Sequence, residues 1–83
     1  MKLTVRYFAS VRENIGTGQE TVETSAANLA GLRDELIARG EHYAASLARG
    51  KSVRLALNQV MRQEDAALAD GDEVAFFPPV TGG

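Results

Sequence analysis

Apolar and polar side chains alternate along the first segment of the chain. Over residues 3–8 every second side chain is large and apolar, a period that is typical of a β-strand with one buried face. Turn-forming residues follow at positions 14–18, and residues 20–24 make a short polar segment rich in threonine. We therefore predict an N-terminal β-hairpin.

The pattern then changes to a helical period. Apolar side chains recur at spacings of three or four residues along one face, at Leu29, Leu32, Leu36 and Ile37. Thr24 and Ser25 offer capping hydroxyls before the start of this helix, and Gly40 is placed for a left-handed C-cap. A second, shorter helix is predicted over residues 41–49.

Alternation returns in the last third of the chain. Residues 52–57 predict a strand, residues 58–59 a turn and residues 60–61 a short return strand. The segment 74–77 predicts a final strand, which Pro78 ends because proline cannot donate to a sheet ladder. The order β-β-α-(α)-β-β favours an α+β fold, in which a small sheet is covered on one face by a helix.

A single helical layer leaves the other face of the sheet uncovered. If Tyr7 and Phe76 point toward the helix, alternation places their neighbours Phe8 and Phe77 on the opposite face. A contiguous exposed aromatic patch is typical of a partner-binding surface. The alternative is that both residues lie at strand ends and close the edge of the core.

Composition narrows the classes of function. The 83 residues make one domain without cysteine and with a single histidine, His42, which excludes thiolate chemistry and a two-histidine metal site. No glycine-rich phosphate loop and no nucleophile with a local base is present. The net charge of -2 argues against a nucleic-acid partner. No apolar run is long enough for a membrane span, and we expect a cytoplasmic protein.

Basic side chains are concentrated in the second half of the chain, at Arg49, Lys51, Arg54 and Arg62. Such residues are usually part of a solvated face, although a protein partner or an anionic substrate is the alternative.

The last residues carry the strongest functional signal. No charged side chain follows Glu73, and the chain ends in Phe-Phe-Pro-Pro-Val-Thr-Gly-Gly. We divide the chain into a domain of residues 1–77 and an extended tail of residues 78–83, stiffened by two prolines and ending in a slender tip. The tail is either a frayed terminus or a stalk that inserts the Gly83 carboxylate into a narrow site on another protein.

A carboxylate is a poor electrophile, so a reaction at Gly83 requires activation, for example adenylation by ATP. Nothing in this sequence binds ATP, and an activating enzyme is therefore a required partner. Attack by an amine would give a protein conjugate, and attack by a sulfur nucleophile would give a thiocarboxylate.

Three segments resemble the small subunit of molybdopterin synthase, the MoaD family. They are the opening Val-Arg-Tyr-Phe-Ala-Ser-Val-Arg-Glu at 5–13, the Leu-Asn-Gln at 57–59 and the closing Asp-Gly-Asp-Glu-Val-Ala-Phe-Phe-Pro-Pro-Val-Thr-Gly-Gly at 70–83. The resemblance implies a ubiquitin-like β-grasp fold with a small mixed sheet. It also implies a sulfur carrier whose Gly83 is adenylated by an ATP-dependent activating enzyme and converted to a thiocarboxylate. The thiocarboxylate then enters the large synthase subunit, within a heterotetramer, and delivers sulfur to cyclic pyranopterin monophosphate in molybdenum cofactor biosynthesis.

The same resemblance implies roles for particular residues. Gly83 is the sulfur-bearing site and Gly82 shares its need for a slender tip. The expected partner-binding residues are Phe8, Met61, Phe77, Pro78, Pro79, Val80 and Thr81. Arg6 departs from the family, which commonly has an apolar residue there, and it lies on the predicted face of Phe8.

Other functions fit the same terminus. A sulfur carrier of the thiazole pathway shares the Gly-Gly tip, although the Phe-Phe-Pro-Pro lead-in does not suit it. A ubiquitin-like protein modifier, joined to lysines through Gly83, is the alternative from a different class. The third is an interaction module with an inert tail.

Overall fold

A computed structural model describes residues 1–48 and 50–79. The five strands are β1 (Lys2–Tyr7), β2 (Gln19–Glu23), β3 (Arg54–Leu57), β4 (Val60–Met61) and β5 (Glu73–Phe77). The three helices are α1 (Ala9–Ile15), α2 (Leu29–Ile37) and α3 (Glu41–Leu47). The strands form one sheet in the order β2-β1-β5-β3-β4. It is mixed, because β1 and β5 run parallel while the other neighbouring pairs are antiparallel.

The core lies between the helices and one face of the sheet. Every second side chain of the central strands is buried there, and the helices contribute leucines. The core cluster comprises Leu3, Val5, Tyr7, Val11, Val22, Leu29, Leu32, Leu36, Leu47, Leu55, Leu57, Ala66, Val74 and Phe76. The predicted α+β architecture, a sheet covered on one face by helices, is confirmed.

The predicted N-terminal hairpin is wrong in its connection. Strands β1 and β2 do pair antiparallel, but helix α1 lies between them. Val11 and Ile15 are one turn apart and pack on the core, so burial of this apolar side favours a helix over an open loop. The turn signal marks the end of that helix, because Gly16 has a φ of 94° and donates its N–H to the Arg12 carbonyl at 2.8 Å.

The predicted ends of the second helix also need correction. Asn28, not Thr24 or Ser25, caps α2, and its side-chain oxygen accepts a hydrogen bond from the Gly31 N–H at 2.9 Å. The Thr24 hydroxyl instead accepts the Ala26 N–H two residues on, in a local turn. The helix ends at Ile37, and Gly40 is the N-cap residue of α3 rather than a C-cap of α2.

A buried arginine joins the helical layer to the loop after α3. Arg33, on α2, is 5% exposed. Its Nε donates to the Leu47 carbonyl at 2.7 Å, and its Nη2 donates to the carbonyls of Ala48 and Lys51 at 2.9 and 3.2 Å. Its Nη1 pairs with Glu64 at 3.4 Å. The guanidinium thus supplies donors to three carbonyls at and just beyond the end of α3.

Candidate functional site

The face of the sheet opposite the helices, here called the open face, is defined by the strand register. Arg6, Ala75, Ala56 and Met61 form one row across four strands. Side chains that are paired laterally in a sheet point to the same side, so this row lies opposite the core row. Arg54 and Phe77 pair in the next row toward the end of β5.

An aromatic pair stands on the open face where β1 and β5 end. The rings of Phe8 and Phe77 lie 6.3 Å apart in an edge-to-face arrangement. Phe8 is 39% exposed, whereas the preceding Tyr7 is buried. The placement of Phe8 and Phe77 opposite Tyr7 and Phe76 follows the predicted alternation, and the alternative of two aromatics closing the core edge is not what the structure shows.

Met61 extends the apolar surface toward the sheet edge. It is 51% exposed on β4, in the row that contains Ala75 and Ala56. Those two alanines are small, and they lie at the middle of the row between longer side chains. The structure therefore brings Phe8, Met61 and Phe77 to one face; that a partner binds them stays a prediction.

The tail begins directly at this face. Strand β5 ends at Phe77, and Pro78 and Pro79 follow without regular structure and partly buried. Four of the predicted site residues, Val80, Thr81, Gly82 and Gly83, lie outside the described residues. Because Pro78 follows Phe77 directly, a partner that bound Phe77 would also hold the first residue of the tail in place.

Arg6 covers part of the aromatic pair. Its guanidinium carbon lies 5.1 Å from the centroid of the Phe8 ring, within the range of a cation–π interaction. Its Nε atom is buried and donates to no acceptor among the described residues. The structure thus confirms that Arg6 shares the face of Phe8.

Two further arginines stand beside Met61. Arg54 and Arg62 line an open groove of about 570 Å³ next to this methionine, together with Asp65. Both arginines are exposed, and neither forms an ion pair within residues 1–48 and 50–79. The sequence contains these charges, but only the register shows that Arg54 is level with Phe77.

The most perturbed titrating group lies away from the open face. The Tyr7 hydroxyl donates to a Glu20 carboxylate oxygen at 2.7 Å, and the Tyr43 hydroxyl donates to the same oxygen at 2.9 Å. Burial and then Glu20 raise the pKa of Tyr7 far above its usual range. Arg39 pairs with the other carboxylate oxygen at 3.3 Å. These bonds join Glu20 of β2 to Tyr7 of β1, to Tyr43 of α3 and to Arg39 between the helices.

Side chains that could perform catalysis are scarce in the part of the chain that the structure describes. No group of three or more histidine, cysteine or acidic side chains there is placed to hold a metal ion. No helix there is long and apolar enough to cross a membrane. At the root of the tail, the described residues place Phe8, Met61 and Phe77 on one face.

The fold is that of a ubiquitin-like β-grasp protein, as the five-stranded mixed sheet and its helical layer show. Within that class the chain belongs to the ThiS family, whose model matches residues 5–83. This confirms the family resemblance that the opening and closing motifs predict.

Known relatives match along their whole length. The chain is 43% identical over 81 residues to the molybdopterin synthase sulfur carrier subunit of Escherichia coli, covering 98% of this chain and 99% of that protein. It is 41% identical over 81 residues to the protein of the same name from Haemophilus influenzae, with the same coverage.

Solved structures agree with this placement. A complex of subunits 1 and 2 of molybdopterin-converting factor from Helicobacter pylori contains a chain that matches with a TM-score of 0.71 and 27% identity, covering 100% of both chains. SAMP1 from Haloferax volcanii matches with a TM-score of 0.82 and 25% identity, again over 100% of both chains.

Proposed function

We propose that this chain is the sulfur carrier subunit of a molybdopterin synthase and that Gly83 carries the sulfur as a thiocarboxylate. The observation that carries the proposal is the full-length similarity to sulfur carrier subunits of that synthase. It is supported by the aromatic pair at the root of the Gly-Gly tail, in which Phe8 is exposed and Phe77 is half-buried.

The chemistry of the proposal takes place at the terminal carboxylate. An activating enzyme would use ATP to form an acyl-adenylate on Gly83 and release pyrophosphate. Sulfur at the sulfide level, as hydrosulfide, would then attack the acyl carbon; the bond from that carbon to the AMP phosphate oxygen breaks, AMP leaves, and loss of the S–H proton gives the thiocarboxylate. This chain would bind no cofactor itself.

The open face would dock first on the activating enzyme and then on the large synthase subunit. Phe8, Met61 and Phe77 together present apolar area of the kind that dominates binding energy at protein interfaces. Pro78 and Pro79 would keep the tail extended and so fix its direction relative to the bound domain. Gly82 and Gly83 would enter a narrow site on the partner because neither has a Cβ atom. Inside the large subunit, the thiocarboxylate would deliver sulfur to cyclic pyranopterin monophosphate, and two deliveries would complete the dithiolene.

Intact mass spectrometry tests the modification. Protein isolated from cells that contain the activating enzyme should show one oxygen of Gly83 replaced by sulfur, and the sulfurated form should convert precursor pterin when mixed with the large subunit. A chain lacking Gly83 is the control and should do neither. Modification at an internal residue alone, or conversion by the shortened chain, would contradict the proposal.

A ubiquitin-like protein modifier is the second candidate, favoured by the similarity to SAMP1 of Haloferax volcanii, a small archaeal modifier protein. In this case Gly83 would form an amide with lysine side chains. A blot of cell extract separates the two functions. A ladder of conjugates that disappears when Gly83 is deleted supports the modifier, and a single free band with a thiocarboxylate supports the carrier.

A further inference from the structure

Charge is divided unevenly along the open face. Two arginines, Arg6 and Arg54, lie within one row of the aromatic pair, at the end of the face where the tail begins. Two acidic residues, Glu23 of β2 and Glu73 of β5, lie toward the opposite end, in the rows of Lys2 and Thr4. The apolar docking surface is thus bordered by positive charge in a chain whose net charge is negative.

The arginines near the tail form no ion pair with a carboxylate among the described residues. Arg54 is exposed and in no ion pair with a described residue. Asp65 shares its groove but is joined to neither Arg54 nor Arg62 by an ion pair. By contrast, Arg33 and Arg39 on the helical side each pair with a glutamate, at 3.4 and 3.3 Å. Among the described residues, the arginines on the helical side thus form ion pairs, whereas Arg6 and Arg54 beside the proposed docking surface do not.

Arg6 is the more unusual of the two. A buried guanidinium N–H without an acceptor destabilises the folded chain, and the Arg6 Nε is buried with no acceptor among the described residues. Its position over the Phe8 ring places this free donor inside the proposed interface. Because Nε is buried, an acceptor on a partner can reach it only if the Arg6 side chain moves.

We infer that Arg6 and Arg54 select the partner by charge, and that the large synthase subunit presents carboxylates opposite them. This inference rests on the proposed function, since it names the partner of the same surface. Guanidinium and carboxylate groups match in geometry and form paired, charge-assisted hydrogen bonds. Such pairs at the border of an apolar contact raise the association rate and exclude partners of the wrong sign. The apolar residues would supply affinity, and the two arginines specificity.

The test is binding of the full chain to its cognate large subunit, measured by surface plasmon resonance at several salt concentrations. The test variant carries Arg6→Glu together with Arg54→Glu. The control is Lys2→Glu, a charge reversal of the same kind on the same strand as Arg6 but at the end away from Phe8. Circular dichroism melting establishes that each variant folds, and Arg54→Lys adds a variant that keeps the charge and loses the paired geometry.

At low salt, the double reversal should weaken binding by about tenfold or more, mainly through slower association, while the control stays within about threefold. The difference should shrink as salt rises, because salt screens exposed charges. Arg54→Lys should fall between wild type and the double reversal. The inference is overturned if the double reversal binds within about threefold of wild type, or if the control loses as much. A wild-type chain that does not bind the large subunit overturns the proposed function as well, which distinguishes the two failures.

Discussion

The two faces of the sheet differ most clearly at two neighbouring residues of β5. Phe76 is 0% exposed and stacks on Tyr7, with ring centroids 6.1 Å apart. Phe77, the next residue, points to the open face and meets Phe8 edge to face. The two residues have the same side chain and share a strand, so only the face distinguishes them. The helices cover the first, and no described residue covers the second to the same degree.

The comparison shows how a small fold can separate stability from recognition. The covered face needs tight complementarity, because core packing is sensitive to single methylene groups. The open face contributes little to the core, and its residues can therefore change with the partner at low cost to folding.

Removing the covered aromatic should have the largest effect on stability. We expect Phe76→Ala to lower the free energy of unfolding by about 3–5 kcal/mol, because it leaves a cavity in the core beside Tyr7. Urea denaturation followed by circular dichroism measures this loss. A loss below about 1 kcal/mol would contradict the assignment of Phe76 to the core.

Replacing an arginine on the covered face should also cost more stability than replacing one on the open face. Arg33→Met keeps much of the apolar stem but leaves three carbonyl oxygens without their donor, and we expect a loss of about 2–4 kcal/mol. The matched change on the open face, Arg54→Met, should stay within about 0.5 kcal/mol. Equal losses of unfolding free energy for the two variants in the same urea experiment would mean that Arg54 contributes to stability as much as Arg33 does.

Truncating Phe77 should weaken partner binding more than it lowers the stability of the fold. Phe77→Ala loses one edge-to-face contact, so we expect a stability loss of only about 1 kcal/mol. Binding to the large subunit, measured by calorimetry, should weaken by about 2 kcal/mol or more, as for a central interface aromatic. Unchanged affinity would remove Phe77 from the docking surface.

The tyrosine on the covered face predicts a dependence of stability on pH. The pKa of Tyr7 is raised in the folded protein, so between its ordinary value near ~10 and the folded value the native state holds a proton that the unfolded state has lost. The free energy of unfolding should therefore fall as pH rises above about 10. Tyr7→Phe should be less stable at neutral pH by about 1 kcal/mol and should show a shallower decline in thermal melts at alkaline pH. If the stability of Tyr7→Phe fell as steeply with pH as that of the wild-type chain, a group other than Tyr7 would be responsible.

The smallest effect on stability should come from the tail. We expect Gly83→Ala to leave the melting temperature unchanged, because the predicted tail contributes nothing to the core, while sulfur transfer is lost or strongly reduced. Differential scanning calorimetry and the pterin conversion assay measure the two quantities on one sample. A clear fall in melting temperature would mean that Gly83 belongs to the folded domain.

The sequence predicts the strands well and the connections less well. Alternation is a local property, so β1, β3 and β5 can be placed from it, and so can the opposite orientation of Phe8 and Phe77. Helix α1 escapes prediction because its apolar residues, Val11 and Ile15, are few and its glycine end looks like a hairpin turn.

The candidate site is predictable in its members but not in its arrangement. Phe8, Met61 and Phe77 follow from alternation and from the family resemblance. The relation between Arg54 and Phe77 depends on which strands are neighbours and in what register, and no local pattern in the sequence encodes that. The orphaned Nε of Arg6 is a property of packing, which alternation cannot show.

Strand β5, which leads to the C-terminal tail, is central in the sheet but is the last strand to be synthesised. This strand lies between β1 and β3 in the sheet, yet a ribosome makes it after the other four. The parallel pairing of Thr4 with Glu73 joins the first strand to the last, so the sheet cannot close until synthesis has reached β5. A chain truncated before this strand would lack both the centre of its sheet and the carboxylate of Gly83. Partners that recognise the folded sheet would therefore not engage a chain truncated before β5.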